Sequence, residues 1–169
     1  IEALWDEQRY EEINETCAEL LKERPLHVQA LLYNGFSYFY RGVNQFSFEE
    51  KIAFFDRSIA NLRKANILEI GDMRGRALYV LGKAYYYKGK FYADLTIDYL
   101  EEAEKYGYVG DDSYEYLGLA YTTLGNYEKG AESFLKAVAQ EPSDTRYLAL
   151  AQAYFNQGMV DESEEYLQR

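Results

Sequence analysis

Residues 117–128 read LGLAYTTLGNYE, and residues 81–92 read LGKAYYYKGKFY. Both carry Leu-Gly-x-Ala-Tyr, then a glycine four positions after the tyrosine, then an aromatic two positions further on. Looser versions of the phrase occur twice more. GFSYFYRG, GKAYYYKG, GLAYTTLG and AQAYFNQG place Tyr38, Tyr85, Tyr121 and Tyr154 at matching points and close on Gly42, Gly89, Gly125 and Gly158. The tyrosines are separated by 47, 36 and 33 residues, so two intervals lie near one length and the first implies an insertion. A period of a few tens of residues points to an array of stacked supersecondary units rather than one large core.

Inside each unit the apolar and small residues recur at helical spacing, as in Leu78, Leu81, Gly82, Tyr85 and again in Tyr114, Leu117, Gly118, Tyr121. Beyond the closing glycine a second periodic run begins, for example Tyr127, Ala131, Phe134, Ala137 and Val138. The glycine is expected to end the first helix in the left-handed conformation and let the chain reverse, which makes each unit a helix-turn-helix hairpin. Pro25 and Pro142, the only prolines, follow the charged runs LLKERP and AVAQEP, where a proline ends one helix before the next begins. Ser47 with Glu50 has the spacing of a capping box for a helix running to about Ala65, and Asp72 and Ser143 are candidate caps for later helices.

These residues resemble the tetratricopeptide repeat family. Residues 111–144 carry Tyr114, Leu117, Gly118, Tyr121, Gly125, Tyr127, Phe134, Ala137 and Pro142 at the family's signature positions, with Gly130 standing where the family has Ala. The resemblance extends over nearly the whole chain and implies an all-α, right-handed superhelical solenoid of antiparallel hairpins forming one domain. Its expected units are a partial repeat over 1–27, a repeat with an insertion around 43–47 over 28–70, repeats over 71–110 and 111–143, and a partial repeat over 144–169. The second unit has Asn34 where Leu is usual, and the third needs about two extra residues between Phe91 and Ala103. The pattern breaks off at both ends, which reads as a segment of a longer array, since a terminal unit is expected to present a polar outer face.

Composition narrows the function classes. With 29 acidic and 18 basic residues the chain carries a formal charge of −11, which disfavours general binding to a phosphate backbone. No run of about eighteen apolar residues exists to form a membrane-spanning helix. The chain starts with Ile, without a basic and apolar leader, so an upstream part is expected to be missing and compartment is not legible; cytoplasm and bacterial periplasm both stay open. Cys17, the single cysteine, falls in a helical pattern and reads as a small buried apolar residue.

Catalysis is not expected. His27 is the only histidine, at a junction, with no companions to make it a base or metal ligand. Adjacent acidic pairs such as Glu11-Glu12, Glu101-Glu102 and Asp111-Asp112 point about 100° apart on a helix and read as solvated faces. Gly82-Lys83 and Gly89-Lys90 lack the lead-in of a phosphate loop, and the sequon Asn14-Glu15-Thr16 lies within a helical pattern. Neither a metal nor a cofactor is implied.

The informative excess is aromatic: 19 Tyr and 9 Phe. The resemblance implies that the first helices of successive hairpins line a concave surface and that partners meet the face opposite the Leu/Gly/Tyr stripe. Carried over by position, that face comprises Gln29, Leu32, Phe36, Phe39 and Tyr40, then Arg76, Tyr79, Lys83, Tyr86 and Tyr87. It continues with Asp112, Glu115, Leu119, Thr122 and Thr123, and then Leu148, Gln152, Phe155 and Asn156. Two aromatic neighbours followed by a polar, acidic one would form a groove with an exposed apolar stretch, a usual mark of a binding surface. Some family members clamp a terminal carboxylate from these positions with Lys, Asn and Arg; here Leu32, Phe36, Glu115 and Leu119 occupy those slots and argue against that mode. Residues 41–90 hold 10 basic and 5 acidic groups, the only basic zone, and Arg76 and Lys83 would bring that charge into the groove. The leading expectation is therefore a non-catalytic scaffold gripping a peptide or helical segment of another protein, with Arg76 and Lys83 selecting acidic groups. The alternatives are a small apolar-ligand protein working with a transporter or envelope assembly, and an aromatic face covered by further repeats or a second copy.

Overall fold

The computed structural model describes residues 1–68 and 70–168. Among them the chain forms ten α-helices: α1 (Glu2–Asp6), α2 (Tyr10–Glu23), α3 (Val28–Val43), α4 (Phe48–Asn66), α5 (Met73–Lys88), α6 (Ala93–Lys105), α7 (Ser113–Thr123), α8 (Tyr127–Gln140), α9 (Asp144–Gln157) and α10 (Val160–Leu167). Successive pairs from α3–α4 to α9–α10 pack as hairpins, each hairpin packs on the next, and α5 also touches α3 and α7, so the odd-numbered helices line one face. The result is an all-α helical repeat solenoid.

The Leu-Gly pair sets how closely the two helices of a hairpin approach. A Cβ added at Gly35, Gly82 or Gly118 would lie 2.5 Å from Leu62, 2.7 Å from Leu100 or 2.6 Å from Phe134, so in three units the hydrogen on glycine admits the large residue of the second helix. Those partners are buried, as are Leu31, Leu81, Leu117 and Leu150 along the first helices. Asn34, the departure in the second unit, is also explained. Asn14 Nδ2 donates to Asn34 Oδ1 at 2.7 Å, and Asn34 Nδ2 donates to Asn61 Oδ1 at 3.1 Å, so an amide ladder ties α2, α3 and α4 together where a leucine would remove both bonds. Because Asn14 is spent inside this ladder and is 4 % exposed, the sequon is inaccessible in the folded chain.

Several expected details are corrected. Gly125 (φ 77°) and Gly158 (φ 82°) do turn the chain with positive φ, but Gly42 lies inside α3, where it lets Phe54 and Phe55 of α4 approach. The extra length of the second unit lies less in the turn over 44–47 than in α4, which has 19 residues against 14 for α8. In the third unit the surplus is a 3₁₀ turn, Lys90–Tyr92, ahead of α6, together with a longer connection over 106–112. Ser47 and Ser143 cap α4 and α9 as expected, whereas Asp72 has a helical backbone and makes no cap bond. His27 serves instead, its Nδ1 accepting from Ala30 N at 3.2 Å at the start of α3. Arg169, the end of the last expected unit, and Glu69, within the second, lie outside the described residues.

Candidate functional site

The inner face is built by α3, α5, α7 and α9, with α1 folded against its first member. Trp5 of α1 sits among Tyr10, Tyr33, Phe36 and Tyr40, with ring centroids 5.5 to 6.0 Å away. Tyr10 stacks on Tyr40. These contacts fill the space that the sequence pattern leaves for a partner. Leu32, Phe36 and Phe39 are 4 %, 1 % and 3 % exposed, so the expectation of an exposed apolar stretch there is corrected: they form a floor beneath α1, α4 and α5. Trp5 escaped the sequence reading because it precedes the first complete hairpin, although a lone tryptophan in a short helical tail was the available signal.

The middle of the face is closed by a polar lock. Lys83 Nζ donates to Asp112 Oδ2 at 2.6 Å and to the Tyr79 hydroxyl at 3.1 Å, while Tyr79 donates to Asp112 Oδ1 at 2.6 Å. The ammonium also lies 5.0 to 5.7 Å from the ring centres of Phe39, Tyr79 and Tyr116. Burial foremost, and then the bond to Asp112, holds the Tyr79 phenol well above its ordinary range. Lys83 is therefore neutralised within the fold, and the expectation that it selects acidic groups on a partner is corrected. Nearby, the Tyr87 and Tyr116 hydroxyls are hydrogen bonded at 2.8 Å, Tyr86 meets Tyr116 edge-on at 4.7 Å, and Tyr87 stacks on Phe55. Tyr116, missed in the sequence because it falls off the expected inner positions, is thus the ring that joins α7 to α5.

Glu115 is taken up in the same way. Arg146, 6 % exposed, donates through Nε to Glu115 Oε2 at 3.1 Å and through its terminal nitrogens to the carbonyls of Ala137, Glu141 and Asp111 at 3.2, 2.8 and 3.0 Å. One buried guanidinium so fixes α9 to the preceding hairpin.

What stays open lies toward the other end. A groove of about 320 Å³ runs between α7 and α9, with Leu119, Thr122 and Thr123 on one wall, Gln152 and Asn156 on the other, and Phe134 at its base. Next to it, Tyr86, Tyr87, Gly89, Thr96, Ala120 and Thr123 line a pocket of about 300 Å³. Thr123 belongs to both. Gln152 donates to Asn156 at 3.2 Å, and Leu148 and Phe155 of α9 are each 58 % exposed. Among the described residues no cluster of His, Cys, Asp and Glu is arranged for a metal, and no helix is long and apolar enough to cross a membrane.

Hairpins of this length, with a glycine of the first helix seated on a large apolar residue of the second, build a helical solenoid of the tetratricopeptide-repeat type. The sequence agrees over its last third, where the tetratricopeptide-repeat profile matches residues 112–144 and 145–169. No curated protein sequence matches it. Among solved structures it is similar to two crystal structures of MamA. One has a TM-score of 0.76 at 24 % identity over 98 % of this chain and 89 % of that one. The other has a TM-score of 0.77 at 24 % identity over 99 % and 84 %. A thermophilic TPR protein of Thermus thermophilus follows with a TM-score of 0.55 at 22 % identity, over 97 % of this chain and 82 % of that one. At these identities the likeness is one of fold.

Proposed function

We propose that the chain is a scaffold that holds an extended segment of another protein along the α7–α9 groove, with Tyr86 and Tyr87 of α5 at its upper edge. The observation that carries this reading is the uneven inner face. Its first half is filled by Trp5 and by the Lys83–Asp112 lock, while from Tyr86 to Asn156 it keeps a concavity lined by hydroxyl and amide side chains. Gln152 and Asn156 offer donors and acceptors suited to a peptide backbone, and Leu119, Phe134 and Phe155 offer apolar contact beside them. The small apolar-ligand reading lacks comparable support. Of the aromatics on which it rested, Phe36, Phe39, Tyr40, Tyr79, Tyr86 and Tyr87, the first two belong to the core, and the two pockets of the inner face are at the small end of the range for ligand sites.

The test is to introduce charge on the groove and on the outer surface separately. Thr123→Glu with Asn156→Glu should weaken binding of the native partner at least tenfold, whereas Leu135→Glu, on the exposed side of α8, should leave it unchanged. Equal loss from both, or none from the groove pair, overturns the proposal.

A further inference from the structure

Among the described residues of α3, α5, α7 and α9, one cation is left without a carboxylate or hydrogen-bond acceptor. Lys83 and Arg146 have carboxylate partners, and Arg74, at the start of α5, donates to the Asn66 and Leu68 carbonyls. Arg76 has neither a hydrogen-bond acceptor nor an ion-pair partner among the described residues. Its guanidinium carbon lies 5.3 Å from the ring centre of Trp5 and 5.2 Å from that of Phe36, a cation–π seating that fixes the position of the group without using its five N–H donors. The site is only partly buried, so the donors remain in reach of solvent.

The surroundings favour an anion. Phenols of Tyr10, Tyr33 and Tyr108 lie within the field of Arg76; burial foremost raises each of them above its ordinary range, with Arg76 acting the other way, so all three stay neutral donors. Asp6, beside Trp5, is exposed and makes no ion pair with Arg76, Glu2 accepts from Gln29, and Asp112 is committed to Lys83 and Tyr79. Resting on the reading of the concave face as the binding surface, we propose that Arg76, seated on Trp5 and Phe36 at the end of that face away from the α7–α9 groove, receives a carboxylate from an acidic residue of a partner protein. A single planar guanidinium matches a bidentate carboxylate, and among the described residues no second free base lies beside it on α5 or α3 to neutralise a dianionic phosphate.

Trp5 is the only tryptophan of the chain and touches Arg76, so its emission reports the site directly. The full chain is titrated at fixed ionic strength with acetyl-(Glu)3-amide, acetyl-(Gln)3-amide and inorganic phosphate. The glutamate peptide should shift Trp5 emission saturably, at least tenfold more tightly than the glutamine peptide or phosphate. Arg76→Gln should remove the difference between the peptides, and Arg76→Lys should weaken the response several-fold because an ammonium cannot present the fork. Thermal melts establish that both variants are folded, and the lysine variant carries the test if the glutamine variant is not. Equal responses to the two peptides, a saturable response to phosphate alone, or an unchanged glutamate response in Arg76→Gln overturns the assignment. The Trp5 response to the tripeptides reads the Arg76 seat, whereas native-partner binding to Thr123→Glu with Asn156→Glu reads the groove, so failure of the groove reading and failure of this one are seen separately.

Discussion

Deleting the Asp112 carboxylate tests the polar lock at the middle of the inner face. The Lys83 and Asp112 side chains are 13 % and 30 % exposed, and without Asp112 the ammonium keeps only the Tyr79 hydroxyl as acceptor among three aromatic rings. Leaving one partner of a fully buried pair costs about 3–5 kcal/mol. Partial exposure of the pair and the cation–π contacts that survive reduce this to about 2–3 kcal/mol for Asp112→Ala. For a chain of this length that corresponds to a fall in Tm of roughly 5–10 °C. Lys83→Met removes the charge while keeping the apolar stem, and should cost about 1 kcal/mol, because Asp112 retains the Tyr79 donor and some access to water. The double variant should then be less destabilised than the two single ones together, with a coupling of about 1.5 kcal/mol in a double-mutant cycle from urea unfolding. A change below about 0.5 kcal/mol for Asp112→Ala, or additive single variants, would refute the claim that this pair closes the face.

Gly118→Ala should cost about 1–3 kcal/mol by driving a methyl into the Phe134 ring, measured by urea unfolding. Arg146→Met should cost about 3 kcal/mol, since Glu115 and three backbone carbonyls lose their donor, and should raise hydrogen exchange in α9 and α10 before the rest of the chain. Burial pushes the Cys17 thiol up from near 9 to about 11. Keeping it neutral favours the folded state fully below about pH 9, and that contribution is lost as pH rises toward 11, so thiol labelling at pH 8 should follow global unfolding and stability should decline from pH 9 upward.

The hairpins were legible because they are local. Leu-Gly at fixed spacing, the aromatic after the turn and the two prolines each act within one unit. The inner positions were legible too, since α3, α5, α7 and α9 do line one face. Their exposure was not, because it depends on contacts between units far apart in sequence. Trp5 with Tyr40, Lys83 with Asp112 and Glu115 with Arg146 pair residues about thirty positions apart, and helical periodicity carries no information about such partners. Asn34 illustrates the same limit: as a departure from the repeat it read as a weak fit, and its reason lies in Asn14 and Asn61 on neighbouring helices.

The central claim is that partners meet the open half of the inner face rather than the outer helices. Incorporating the photo-cross-linking residue p-benzoylphenylalanine at position 123, 156 or 135 in the full-length protein, and irradiating it with its native partner, tests this most directly. Adducts with one and the same partner from positions 123 and 156, and none from 135, are the expected result; adducts from 135 with none from the groove positions would contradict it.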